Sequence, residues 1–241
     1  MNDEPKSATI DFGLLANFVH LINPLNGVIG TIDNIIDGTV SGARVEQRLK
    51  AARAQLQQSV QLVRNLAFFS ELSVGTNPNS ARTRKTCVIP QVVIEAAQFF
   101  QELGASKNIK IRLEDRETQY KVEGNPDLLR QVFMNLFDNA VKYGQPETTI
   151  QVLPSVQKKT NDLLIRVVGQ SIFIPVEERQ NIFALGYRSD QARDRVASGT
   201  GLGLYICRMI LNRVHSASIE VETSRSTGET TFMLRFPKHY I

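Results

Sequence analysis

Leu14, Phe18, Leu21, Leu25, Val28, Ile32 and Ile35 recur at steps of three and four across residues 11–38. Side chains so spaced share one side of an α-helix, so the segment predicts an amphipathic helix with a coiled-coil-like seam. Pro24 falls within the pattern and predicts a bend, because proline removes a backbone donor and crowds the preceding turn. The stretch "DGTVSG" at 37–42 reads as a turn. A second stripe follows at Val45, Leu49, Leu56, Val63 and Leu66, with polar runs such as "QLQQS" on the other faces. Two helices joined by a short turn make a hairpin, and a single hairpin buries only part of its apolar stripe. Two hairpins paired as a four-helix bundle bury the rest, which predicts a homodimer through residues 10–73. The competing arrangement packs the hairpin against the remainder of its own chain.

The run "SVGTNPNSARTR" at 73–84 is rich in Ser, Asn, Gly and Pro and reads as a loop boundary. The expected organisation is a helical hairpin over 1–75, a linker over 76–84 and a second domain over 85–241. In that domain "TCVIP" predicts a short strand, and Pro90 opens a helix to about Leu103. "IKIRLE" and "YKVEG" alternate as strands, and a helix is expected from about Pro126 to Tyr143. "TTIQVLP" and "DLLIRVVG" predict strands, the second with the continuous apolar run of a buried one. "VEERQNIFAL" predicts a short helix, "GLGLYICRMILNRVH" a helix opened by glycines, and "SIEVETS" with "TTFMLRFP" a closing hairpin. The fold class expected is α plus α+β.

A hydrophobic fraction of 42% and a charged fraction of 22% fit a globular chain and argue against disorder. No apolar run reaches the roughly 18 residues of a membrane span, and the polar N-terminus "MNDEPKSATI" does not resemble a signal peptide. A cytoplasmic location is therefore expected. Cys87 and Cys207 match no metal-ligand spacing and are expected as free thiols. The basic residues are scattered despite a net charge of +4, so nucleic acid is not an expected partner.

Two segments suggest polyanion chemistry. "GTGLGLYI" sets Gly199, Gly201 and Gly203 just ahead of a helix. Glycines let backbone amides approach a phosphate, and a helix N-terminus favours negative charge. The competing reading is a turn that only joins a loop to a helix. In "QVFMNLFDNAVKY", Asn135, Asn139 and Lys142 lie at i, i+4 and i+7, on one face of a helix. Two amides and a cation there suit a magnesium–triphosphate group. A solvated polar stripe is the alternative.

In order along the chain, "QVFMNLFDNAVKY", "IFALGYRS" and "GTGLGL" resemble the N, F and G2 boxes of the sensor histidine kinases of two-component systems. The helical hairpin ahead of them extends the resemblance over residues from about 11 to 237. It implies a dimeric hairpin domain followed by an ATP-binding α/β sandwich of the GHKL type. It also implies roles: magnesium at Asn139, phosphate at Lys142 and the glycines, and adenine beside Tyr143. Asn135 belongs to the same nucleotide face.

The chain departs from that pattern twice. The family's phosphoacceptor histidine precedes the proline by five residues and is followed by an acidic residue. Counting back from Pro24 puts Val19 in the histidine's place and His20 in the acidic residue's. Leu21, Leu25, Val28 and Ile32 keep the family's buried offsets in this register. Using His20 instead would turn the site about 100° around the helix, and in-line phosphoryl transfer depends on accurate placement. The second departure is "GQSIFIP" at 169–175, where the family has D-x-G-x-G followed by Ile-Pro. Gly169 stands for the aspartate that accepts the adenine amino hydrogen bond, and Ser171 and Phe173 stand for the glycines. Losing a hydrogen bond to a charged group costs roughly 1.5–3 kcal/mol, or about 10- to 150-fold in affinity. Phe173 is expected to fill part of the adenine space as core. Asn125, where the family commonly has aspartate, is expected to cap a helix.

The expectation is thus a pseudokinase: a histidine-kinase-like signalling protein that binds a response regulator or a partner histidine kinase without phosphorylating itself. The departures weigh against Mg-ATP as a cofactor. The alternative is a divergent histidine kinase or phosphotransferase that uses His20 with ATP. A third reading has ATP bound without transfer, as a structural effector.

Overall fold

A computed structural model describes residues 25–73, 85–100, 104, 107–196 and 199–237. Val19, His20, the Pro24 bend and the linker at 76–84 lie outside the described residues, whereas the helix expected to run to about Leu103 ends at Gln98, with a turn at 99–100. The chain divides into two units between Ala67 and Phe68.

The first unit contains helix α1, described over 25–36, and most of α2, Ala43–Ser73. The turn expected at 37–42 joins them. Gly38 and Gly42 take φ values of 72° and 62° there, the left-handed region that closes a helix cheaply only with glycine. The Val40 amide donates to the Asn34 carbonyl at 2.9 Å, which satisfies an α1 carbonyl that the helix itself leaves over. A Cβ on Gly27 would lie 3.0 Å from the Gln55 side chain, so α1 and α2 meet as a hairpin. Much of the apolar stripe remains uncovered: Ile29 is 56% exposed, Ile36 75% and Val63 54%.

The second unit is a mixed five-stranded sheet with helices on one face. Strand β1 (Lys85–Val88) runs into α3 (Ile89–Gln98), which has proline in its first turn, where the missing N–H costs nothing. Strands β2 (Lys110–Leu113) and β3 (Lys121–Gly124) precede α4 (Pro126–Tyr143). Strands β4 (Thr149–Gln157) and β5 (Asp162–Gln170) form an antiparallel pair, followed by a short helix, α5 (Asp190–Arg195). Helix α6 (Gly203–Val214) leads to the closing hairpin of β6 (Ser218–Thr223) and β7 (Glu229–Phe236). The sheet order is β2-β4-β5-β7-β6, with β2 parallel to β4 and the other pairs antiparallel; β1 and β3 form a separate antiparallel pair.

Alternation along the strands defines the core. Leu163, Ile165 and Val167 of β5, with Phe232, Leu234 and Phe236 of β7, are buried on the inner face. Against them pack Leu129, Val132, Phe133, Leu136 and Phe137 of α4 and Ile206, Ile210 and Leu211 of α6. Phe137 also meets the Phe100 ring edge-on at 6.2 Å.

Two expectations need correction. β5 is central in the sheet, yet only one of its faces is covered: Leu164 and Val168 are half-buried and Arg166 is exposed on the other. A continuous apolar run therefore did not mean burial on both sides. "VEERQNIFAL" forms two 3₁₀ turns, Val176–Glu178 and Asn181–Phe183, instead of a helix. These turns bury Ile182 and Phe183 while Val176 and Leu185 stay exposed.

Candidate functional site

The site begins with the positioning of α4. Asn125 accepts hydrogen bonds on Oδ1 from the Asp127 and Leu128 amides at 3.0 and 3.2 Å, the helix cap expected of it. At the other end Lys107 donates from Nζ to the Val141 and Lys142 carbonyls at 2.7 and 2.9 Å, satisfying last-turn acceptors. Burial pulls the Lys107 ammonium below its ordinary range, and the charge of Arg195 acts in the same direction. Nothing in the motif pattern pointed to Lys107.

The four residues expected on the α4 face separate into two groups. Asn135 is 3% exposed, so it is no part of a solvated stripe. It lies beside the Cys207 thiol of α6, and a Cβ on Gly203 would lie 3.7 Å from its Cγ. The N box and the G2 box, far apart in sequence, therefore meet at Asn135. Asn139, Lys142 and Tyr143 are half-buried. Lys142 is ion-paired with Asp138 one turn earlier, a partner the sequence reading missed. The Cys207 thiol donates to the Val132 carbonyl at 3.6 Å, and burial pushes its pKa up to about 12. Cys87 and Cys207 are both free, as expected, and both are buried.

The G2 glycines each have a distinct neighbour. The Gly199 carbonyl accepts from Arg188 Nη1 at 3.4 Å. Gly201 has φ 67° and presses on the backbone of Gly186 and Tyr187. Gly203 begins α6, where Leu202 provides no side-chain cap.

Gly169 ends the inner face of β5, directly opposite Thr230 of β7. Its φ is ordinary, and among the described residues the one atom within 4 Å of a Cβ there would be Ile150 Cγ1, at 3.6 Å. The following segment lies along the β6–β7 hairpin. The Ser171 amide donates to the Gly228 carbonyl at 3.0 Å, and Thr223 Oγ1 donates to the Ile174 carbonyl at 2.7 Å. Phe173 is not core. Its ring is half-buried beneath the Arg225 guanidinium, 4.5 Å from the ring centroid, because those hydrogen bonds draw the segment toward the hairpin turn. Among the described residues no cluster of three or more His, Cys, Asp or Glu side chains could hold a metal ion, and no helix is long and apolar enough to cross a membrane.

Residues 124–240 match the family described as histidine kinase-, DNA gyrase B- and HSP90-like ATPases. The second unit is a domain of this family, with its GHKL-type sandwich. The chain as a whole is a homologue of the sensor histidine kinases of two-component signalling. It is 29% identical over 227 residues to the sensor protein SrrB of Staphylococcus aureus, covering 93% of this chain. It spans 37% of the length of that relative. Among solved structures, the Acinetobacter baumannii histidine kinase AdeS superimposes with a TM-score of 0.59 at 18% identity, over 90% of this chain and 96% of that one. The histidine kinase ThkA, solved in complex with the response regulator protein TrrA, gives 0.58 at 20% identity, over 93% of this chain and 61% of that one. At these identities the solved structures show the fold alone.

Proposed function

We propose that this histidine-kinase-like chain is a pseudokinase that signals by binding a response regulator or a partner histidine kinase. The observation that carries this reading is Gly169: the position that holds a base-recognising aspartate in the family has no side chain. Val19, at the phosphoacceptor position of the same pattern, has no nucleophilic atom. ThkA has been solved with a response regulator, and a partner of that class is the one proposed here. The test is phosphohistidine detection after incubation with Mg-ATP, comparing the native chain with His20→Ala. Background labelling in both is expected. ATP-dependent labelling that disappears in His20→Ala would establish the active-kinase alternative instead.

The hairpin supports a homodimer through residues 10–73. Leu25, Ile29, Ile32 and Ile36 of α1 and Leu49, Leu56, Val60 and Val63 of α2 are exposed, more apolar surface than a hairpin alone ordinarily leaves in water. Sedimentation velocity at micromolar concentration should give a dimer, and Ile29→Asp with Ile32→Asp should give a monomer. A monomeric native chain would remove the dimer.

Nucleotide binding without transfer is the second reading. Gly203 beside Asn135 brings the G2 loop to the N-box helix, and Asn139, Lys142, Gly199 and Gly201 are retained. These residues fit the phosphate side of Mg-ATP, with magnesium at Asn139, whereas Gly169 does not fit the base side.

A further inference from the structure

Arg188 gathers carbonyls from three places. Its Nη2 donates to Ala192 at 2.9 Å and also to Val196, while Nη1 reaches Gly199 at 3.4 Å. Ala192 lies within α5, Val196 ends it, and Gly199 is the first glycine of the G2 box. A Cβ on Gly199 would lie 3.2 Å from Arg188 Cζ, so glycine gives the guanidinium its room. Immediately before Arg188, Gly186 and Tyr187 supply the backbone on which Gly201 rests.

Helix α5 needs such support. Its six residues buried only at Ala192 are too few to persist by helix propensity. Ser189 caps its start by accepting from the Ala192 amide at 3.2 Å. Its end depends on the same orphan carbonyls that every helix C-terminus leaves over, and a cation there also suits the helix dipole. A guanidinium presents its donors in a rigid planar fork, so one side chain can bridge separate chain segments, which an ammonium on a flexible stem does poorly.

We propose that Arg188 is a positioning residue: it holds α5 and the first G2 glycine in place by protein contacts, independently of any nucleotide. The proposal does not depend on whether the chain transfers phosphate. It places a regulatory joint at the end of the F-box segment, where a change that releases Arg188 would free α5 and the G2 entrance together.

Hydrogen–deuterium exchange on the full chain tests it, with the Arg193 and Val196 amides as reporters, since they donate to Ser189 and Ala192. In Arg188→Met these amides should exchange at least about tenfold faster, with β5 and β7 amides unchanged. Arg188→Lys should recover only part of the protection. In the native chain Mg-ATP should leave the reporters unchanged. Native-like exchange in Arg188→Met, full rescue by lysine, or strong slowing by Mg-ATP would each overturn the proposal. So would a uniform rise over the whole domain, because a clamp on α5 predicts a local loss.

Discussion

Gly201→Ala is expected to destabilise the second unit by about 2–4 kcal/mol, combining the cost of left-handed backbone in an L-residue with that of overpacking. Gly201 has φ 67°, and a Cβ there would lie 2.5 Å from the Gly186 carbonyl carbon, 2.7 Å from its oxygen and 2.8 Å from the Tyr187 oxygen. These are backbone atoms, so no rotamer change relieves the overlap, and either the G2 loop or the 186–187 segment must move. Gly186 separates the two causes. Its φ is 72°, but among the described residues nothing lies within 4 Å of its Cβ position, so Gly186→Ala should cost only about 1–2 kcal/mol. Urea denaturation measures both, provided the slope is unchanged and the midpoint alone moves. Equal losses in the two variants would show that the close approach at Gly201 carries no energy.

That comparison also shows where sequence was informative. The glycines of "GTGLGL" stood out, but which of them was required by strain, by a guanidinium or by an asparagine depended on neighbours far along the chain. Helix α4 was legible from end to end, because its cap at Asn125, its proline start and its apolar period are local signals. The turn at 37–42 and the β6–β7 hairpin were legible for the same reason. The two 3₁₀ turns were not, since no local propensity opposes a helix there. Helix α5 was missed because it has almost no apolar period; Ser189, with Asp190 in the first turn and Arg193 and Arg195 in the last, could have found it. Arg188 and Lys107 were invisible because their acceptors are main-chain carbonyls, which have no signature in sequence. Asn135 was read as sharing one face with Asn139 and Lys142, and its burial beside Cys207 required knowing that α6 packs there.

Gly169→Asp should raise the affinity for adenine nucleotides by about 10- to 150-fold, the reverse of losing one hydrogen bond to a charged acceptor. The structure permits the substitution. Gly169 shares the inner face with Leu163, Ile165 and Val167 by strand alternation, at the end where that face runs out and burial is only partial. Its φ is ordinary and its Cβ position is in plain van der Waals contact with Ile150, so neither strain nor overlap opposes the new side chain. The cost is partial desolvation of a carboxylate, which lowers the gain toward the bottom of the range unless the base pairs with it. Gly169→Ala is the control: it adds the same first carbon without an acceptor and should leave affinity unchanged. Calorimetry with Mg-ATP and Mg-GTP distinguishes recognition of the base from general tightening, because an acceptor at this position should favour the adenine amino group over the guanine carbonyl. If Gly169→Asp bound ATP no better than Gly169→Ala, the missing carboxylate would not be what separates this site from base recognition, and the obstacle would have to lie in the 171–175 segment, where the Phe173 ring is held beneath Arg225.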